Sequence, residues 1–239
     1  MATSHVNANE QTAVPTHLGL ILDGNRRWAV AEGLATYEGH RRGYENLKTI
    51  AEAAIDRGVK FISAFVFSTE NWKRAKDEVK YLMDLLSWVA VHQVDEMHKK
   101  NIKVVFLGQE DRLSKKNIKL IRAAEDKTRN NTRGTLALCL NYGGRSEIAD
   151  AFKQMIAKGV KPEDMTPELI REHIYHPEIP DVDLIIRTSG EQRLSNFMLW
   201  RAAYSELYFK ADKHWPAFTV ADLDDALADY ARRVRRFGQ

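Results

Sequence analysis

The segment Leu18-Gly19-Leu20-Ile21-Leu22-Asp23-Gly24-Asn25-Arg26-Arg27-Trp28 stops a short apolar run at a carboxylate. A glycine, an amide and two adjacent guanidinium groups follow. A carboxylate at the end of a strand, beside donors suited to phosphate, is the arrangement a magnesium-dependent diphosphate chemistry needs. Alone, Asp23-Gly24-Asn25 is also ordinary turn chemistry after a strand. The other apolar runs end in similar company. Ser68, Thr69, Glu70, Asn71, Trp72 and Arg74 follow the second, and Asn141, Tyr142, Gly143, Gly144 and Arg145 follow the fourth. Arg187 to Asn196 follow the fifth, with Glu206 shortly beyond, and Gly39-His40 trails the first. Each cluster could be capping chemistry, but four at one end of one sheet make a better anion site. Arginine's planar fork suits bidentate phosphate contacts, and backbone amides at helix starts add donors.

These clusters need a scaffold that brings strand ends together. Apolar runs at Leu18–Leu22, Phe61–Phe67, Lys103–Leu107, Thr135–Asn141, Asp183–Arg187 and Glu206–Phe209 predict six strands. Between them, helical patterns run over about Tyr44–Arg57, Asp77–Lys100, Lys115–Asn130, Arg145–Lys158 and Thr166–Ile174, with a last one at Thr219–Val234. Asp77, Thr166 and Thr219 are candidate N-caps, and Gly58 follows a helix end. The alternation predicts an α/β fold, one domain over residues 17–239, with a mainly parallel six-stranded sheet, helices on both faces and ligands beyond the strands' carboxyl ends. The Asp77–Lys100 pattern is apolar over more than one stripe, so it must bury two faces. In Thr135–Asn141 the leucines alternate with small Ala137 and Cys139, which leaves tight packing or room for a ligand.

Composition excludes several classes. The chain has 239 residues, 44% hydrophobic and 29% charged, as a globular domain does. No apolar stretch approaches the roughly 18 residues of a membrane span. Residues 1–16 are polar and lack an apolar signal core, so they read as a flexible tail without export, placing the protein in the cytoplasm. One cysteine, Cys139, excludes a disulfide scaffold and a thiolate metal site, and reads as a buried small hydrophobe. A net charge of +3 argues against nucleic acid as a partner. There is no P-loop, dinucleotide glycine fingerprint or Gly-x-Ser-x-Gly elbow. His173 and His176 read as surface residues, and Asp224 to Asp229 as a solvated acidic helix face.

Taken together, the chain resembles the cis-prenyltransferases, the undecaprenyl diphosphate synthase family, from about His17 to Gly238. The motifs, in order, are Asp23 to Trp28, Gly39-His40, Phe67 to Arg74, Asn141 to Arg145, Arg187 to Phe197, Glu206 to Phe209 and the tail Arg235-Arg236-Phe237-Gly238. The resemblance implies condensation of isopentenyl diphosphate onto an allylic diphosphate such as farnesyl diphosphate, with new cis double bonds. The product would be a long polyprenyl diphosphate of the undecaprenyl type, a lipid carrier for cell-wall glycan. By that likeness Asp23 holds Mg2+ and assists diphosphate departure, and Glu206 supports the metal region across a homodimer. Gly24, Asn25, Arg26, Arg27, Trp28 and His40 surround the allylic diphosphate. Arg187, Arg193 and Ser195 bind isopentenyl diphosphate, with Arg236 and Gly238 reaching the partner subunit's site. Asn25, Ser68, Glu70, Asn71, Trp72 and Arg74 arrange a loop that closes over both, with Asn25, Ser68 and Asn71 in catalytic positions beside Asp23. The product would pass to the membrane, with the enzyme at its inner face. Thr36, Ala75 and Gln192 depart from residues common in the family.

Each five-carbon unit buried is worth about 4 kcal/mol, at about 0.8 kcal/mol per methylene. A growing chain therefore needs an apolar tunnel, which the Asp77–Lys100 face, Leu47, Ile50 and the small side of Thr135–Asn141 are expected to line, with Val66, Tyr44 and Ala51 tuning it. Two other readings compete with the enzyme. A noncatalytic partner subunit would lack much of the Asp and Arg set, and a nucleic-acid binder would rely on Arg232, Arg233, Arg235 and Arg236.

Overall fold

A run in which every residue is buried forms β1 (His17–Ile21), the first of six strands in a computed structural model that describes residues 13–233. The others are β2 (Phe61–Ser68), β3 (Ile102–Leu107), β4 (Gly134–Tyr142), β5 (Leu184–Thr188) and β6 (Glu206–Lys210). They form one sheet in the order β3-β4-β2-β1-β5-β6, and every pairing is parallel. All six carboxyl ends therefore point the same way, as the clustered polar motifs require. The helices are α1 (Asn25–Ala31), α2 (Thr36–Asp56), α3 (Lys76–His92), α4 (Val94–Lys99), α5 (Lys115–Thr128), α6 (Gly144–Ala157), α7 (Pro167–Arg171) and α8 (Val220–Arg232). None of the described helices is long and apolar enough to cross a membrane.

One sheet face carries Leu20, Ile62, Leu136, Leu138 and Ile186 against α2, α8 and Met97 of α4, while Leu140 and Phe67 meet α3 and α5. The opposite face carries Ile21, Phe65, Val105, Ala137, Cys139 and Ile185, covered by Ile179, Val182, Phe197 and Met198. There α6 and α7 form a satellite cluster around Ala151, Met155 and Ile170. Cys139 is fully buried, as expected.

Several expectations change. Helix α2 starts at Thr36 rather than near Tyr44, because Gly39 and Gly43 disguise its first turns. Both glycines exist for close approach: a Cβ on Gly39 would lie 2.0 Å from the Asn25 carbonyl, and on Gly43 2.2 Å from the Asn25 side-chain oxygen. The long Asp77–Lys100 pattern is two helices, broken at Gln93. Thr166 and Thr219 cap as predicted, but Asp77 does not; Ala75 holds that position. His173 is buried, with Nδ1 2.8 Å from the Leu169 carbonyl, so only the more open His176 fits the surface reading. Asp224 and Asp225 are exposed as expected. Of the expected tail, residues 1–12 lie outside the described residues, whereas the Thr16 carbonyl accepts from the Lys60 and Phe61 amides. A bulge in β2 at Val66 puts Val66 and Phe67 on one side and turns Ser68 toward the site.

Candidate active site

Asp23 sits just past β1, and its backbone is pinned from three directions. Its carbonyl accepts from the Trp215 amide at 2.9 Å, Thr188 Oγ1 at 2.7 Å and Ser189 Oγ at 2.9 Å. Gly24 follows with φ 99°, and a Cβ there would lie 1.9 Å from Ser189 Oγ, so no other residue fits. The fixed carboxylate meets two cations: Arg187 Nη2 donates to Oδ2 at 2.8 Å and Arg27 Nη2 to Oδ1 at 3.0 Å. Burial pushes the Asp23 carboxyl up, but Arg187 and Arg27 together outweigh it and hold the group below its ordinary value.

Arg187 is itself buried at the end of β5. Its Nη1 donates to Ser195 Oγ at 2.9 Å and to the Arg193 carbonyl, while its Nε is buried without a partner. The Asn25 Oδ1 is likewise buried and unpaired, although Nδ2 reaches the Leu22 carbonyl at 3.3 Å. Buried polar atoms without partners carry a cost that a bound ligand can relieve. Ser189, Ser195 and Asn196 all adopt positive φ in the loop after β5, a local strain of the kind held at binding sites.

A second set of donors stands across the site on α1, α2 and the segment before α3. Arg26 Nη1, His40 Nε2 and Arg74 Nη1 lie 3.2, 3.2 and 3.0 Å from the Glu78 carboxylate. Burial lowers the His40 pKa, and Arg74 and Arg26 add to the effect against Glu78. Glu78 therefore occupies, in one carboxylate, the convergence point of three groups able to hold a phosphate. It escaped the sequence reading, although its position one turn after Arg74 was a usable signal. His214, 2.7 Å from Ser189 Oγ, was also missed and no spacing announces it.

The loop after β2 is built from reciprocal caps. Ser68 and Asn71 cap each other, and Glu70 Oε1 accepts from Asn196 Nδ2 at 3.0 Å. Asn196 also accepts from the Gly144 amide at 2.7 Å and the Arg145 amide at 2.9 Å, tying three strand ends together. Trp72 donates to Asn141 Oδ1 at 2.7 Å and packs edge-on to Phe67, under Arg112.

Two cavities meet at this polar centre. One, of about 700 Å3, runs from Asp23, Asn25, Arg26, Arg27, His40 and Arg74 down between the sheet and α2, α3 and α4. The other, of about 570 Å3, is lined by Ser68, Glu70, Arg145, Arg187, Ser195 and Asn196. Leu22, Asp23, Phe65, Asn71 and Arg74 line both. The deep end of the first is apolar, with Leu82, Leu86, Val89, Met97, Leu136 and Leu138 on its walls. Leu47, Val66 and Tyr44 line it as expected. Ile50, Ala51, Ala137 and Cys139 do not: the small face of β4 is filled by aromatic side chains, and the leucine face opens on the cavity.

Other expected residues, among those described, do not line either cavity. Trp28 is half-buried on α1 and lines neither cavity. Arg193 is 62% exposed and pairs with Glu191 at 2.6 Å. Glu206 begins β6 at the opposite end of the sheet from Asp23 and accepts from Arg233 at 2.7 Å. Arg236 and Gly238 lie outside the described residues. Among the described residues no three His, Cys, Asp or Glu side chains converge to cage a metal.

A family model described as "Putative undecaprenyl diphosphate synthase" matches residues 21–238, nearly the whole chain. The chain belongs to this cis-prenyltransferase family. It is 44% identical over 229 residues to isoprenyl transferase 2 of Corynebacterium glutamicum, covering 94% of each chain. It is 45% identical to a trans,polycis-polyprenyl diphosphate synthase of Thermobifida fusca, covering 94% of this chain and 81% of that one. Among solved structures, lavandulyl diphosphate synthase from Lavandula x intermedia, in complex with dimethylallyl diphosphate, superposes with TM-score 0.89 at 35% identity, over 95% of this chain and 99% of that one. Family membership makes the chain an enzyme, a cis-prenyltransferase.

Proposed function

We propose that the enzyme condenses isopentenyl diphosphate onto an allylic diphosphate, farnesyl diphosphate, with cis stereochemistry. The product is a long polyprenyl diphosphate of the undecaprenyl type, a carrier lipid for cell-wall glycan. The observation that carries this reading is the junction of two cavities at Asp23, one ending in apolar walls and one lined mostly by polar and charged side chains. A substrate with a diphosphate head and a hydrocarbon tail matches the first, and a short diphosphate matches the second.

On this reading Gly24, Asn25, Arg26, Arg27 and His40 hold the allylic diphosphate, with Trp28 buttressing α1 beneath it. Arg187, Arg193 and Ser195 hold isopentenyl diphosphate, and the unpaired Arg187 Nε supplies a further donor to it. Arg74, Ser68, Glu70, Asn71 and Trp72 bring the two heads together. Breaking the allylic carbon–oxygen bond moves its electron pair onto the leaving diphosphate, and fixed guanidinium groups stabilise that charge. The new carbon–carbon bond then forms to the isopentenyl double bond, and a proton leaves. Asp23, kept ionised by Arg187 and Arg27, fits a Mg2+ ion, which takes one or two carboxylates and completes its shell with phosphate oxygens and water. When bound, Mg2+ neutralises developing charge on the departing diphosphate. We assign Glu206, Arg236 and Gly238 to contacts across a homodimer, and the product to delivery at the cytoplasmic face of a membrane.

Purified protein with Mg2+ and farnesyl diphosphate is expected to incorporate labelled isopentenyl diphosphate into an organic-soluble product. Asp23→Ala should lower turnover by about 10³-fold or more, some 4 kcal/mol of barrier, in a protein that circular dichroism shows still folded, with a lower melting point from the loss of buried Arg187's partner. Undiminished turnover in that variant would remove Asp23 from the reaction.

A further inference from the structure

The apolar cavity has a second boundary that the reaction does not explain. Beyond the polar junction, Lys48 is the one charged side chain on its walls among the described residues. It lies eight residues beyond His40 on α2, about 12 Å at the helical rise. An ammonium facing a hydrocarbon space is costly unless paired. Lys48 is paired outward: its Nζ donates to Gln93 Oε1 at 2.7 Å and to the Glu96 carboxylate. Glu96 also takes Lys100 at 2.9 Å, and Lys100 reaches Glu52 at 2.8 Å, so α2 is laced to α4. Gln93 is the residue at which α3 stops and α4 begins.

Outside this lacing, between α2 and α3, lies a separate groove that reaches the half-exposed Trp88. Tyr44, Lys48, Leu85 and Gln93 line both spaces, so they form the partition between them. Tyr44 is braced edge-on against Trp88 at 6.5 Å. Beyond the polar junction, among the described residues, this partition holds a hydrogen-bonded pair of wall residues from separate helices, Lys48 and Gln93. Elsewhere beyond the polar junction the wall is apolar, chiefly leucine, valine, methionine and phenylalanine. A hydrogen-bonded partition can open without leaving a hole in the core, whereas a packed wall cannot.

We propose that Lys48, held by Gln93 and Glu96, is the latch of a side wall that sets how long a hydrocarbon chain the cavity accepts. Closed, the latch confines the chain; released, it joins the cavity to the α2/α3 groove and admits a longer one. This rests on the reading of the cavity as the seat of the growing chain.

The test needs no turnover. Binding of a ladder of n-alkyl phosphates is measured for the wild type, Lys48→Ala, Glu96→Gln and Lys100→Met, each checked by thermal melting. In the wild type, affinity should rise about fourfold per methylene until the cavity is full, then level off. Lys48→Ala should level off at a longer chain, Glu96→Gln should move the same way by less, and Lys100→Met should match the wild type. In the condensation assay the same two variants should shift products toward more isoprene units. Levelling at the same chain length in all four proteins overturns the latch. Affinity that ignores chain length in the wild type overturns the reading of the cavity, and the latch with it.

Discussion

The two faces of the sheet end in states opposite to what the sizes of their residues suggest. On one face Leu136, Leu138 and Leu140 are large, yet they border a cavity of about 700 Å3. On the other Ala137 and Cys139 are small, yet they line neither of the two cavities. The difference lies in what stands opposite. Phe65 stacks on Phe197 with ring centroids 4.9 Å apart, and Tyr142 meets both edge-on, so aromatic volume fills the space above the small residues. On the leucine face, polar lacing at Lys48 ties α2 to Gln93 and to α4, and the cavity lies beneath it. Space in a protein is set by the distance between layers, not by the size of residues on one of them.

The comparison breaks most readily on the filled face. There Arg201 and Glu147, both 0% exposed, pair at 2.7 Å, and Tyr142 OH donates to the same carboxylate at 2.5 Å. Arg201→Met leaves that carboxylate buried without its cation, and should cost about 3–5 kcal/mol in urea unfolding. Phe197→Ala, which empties an aromatic site of 0% exposure, should cost about as much. A loss under 1 kcal/mol in both would mean that this face is not close-packed.

The next effect is a pH dependence from the same face. His17 is buried, with Nδ1 2.8 Å from the Pro180 carbonyl and Nε2 2.8 Å from Ser63 Oγ. Burial lowers its pKa from 6.5 to about 4, with Arg201 adding to the effect and Asp183 opposing it. The fold therefore favours the neutral ring. Its contribution is complete above pH 6.5 and is lost as pH falls toward 4, by about 3 kcal/mol in all. Denaturation across that window should show the slope, and His17→Gln should flatten it. An equal slope in the variant would assign the acid sensitivity to other groups.

Much of the polar end was legible because a buried strand that stops at charged residues leaves few places for them. Asp23 and Arg187 close neighbouring strands, so parallel pairing alone brings them together. The α/β order followed from the same runs. Three kinds of feature were not legible. The β2 bulge at Val66 breaks the alternation from which a side chain's face is read. Gly39 and Gly43 look like helix breakers until α1 is seen against them. Glu78 and Lys48 are single charges on helices, where a solvated role is the ordinary one, and only the groups around them show otherwise. Family likeness supplied roles for Arg193 and Glu206 that geometry within one chain does not supply, since the Arg193 side chain is taken by Glu191 and Glu206 starts β6 at the far end of the sheet.

The smallest predicted effect is the sharpest test of the two faces, because it uses adjacent residues of one strand. Ala137→Phe adds a ring to a site already filled by Val105, Phe65 and their neighbours. Overpacking of this kind costs about 1–3 kcal/mol and should leave the leucine-lined cavity unchanged. Leu138→Phe adds its extra volume toward open space, so stability should change by less than about 1 kcal/mol. The new ring shortens the room for a chain, and under the proposed function the product distribution should move to fewer isoprene units. Unfolding midpoints and product masses from the same two preparations decide the matter. A shortened product from Ala137→Phe, with full stability, would reverse the assignment of the faces.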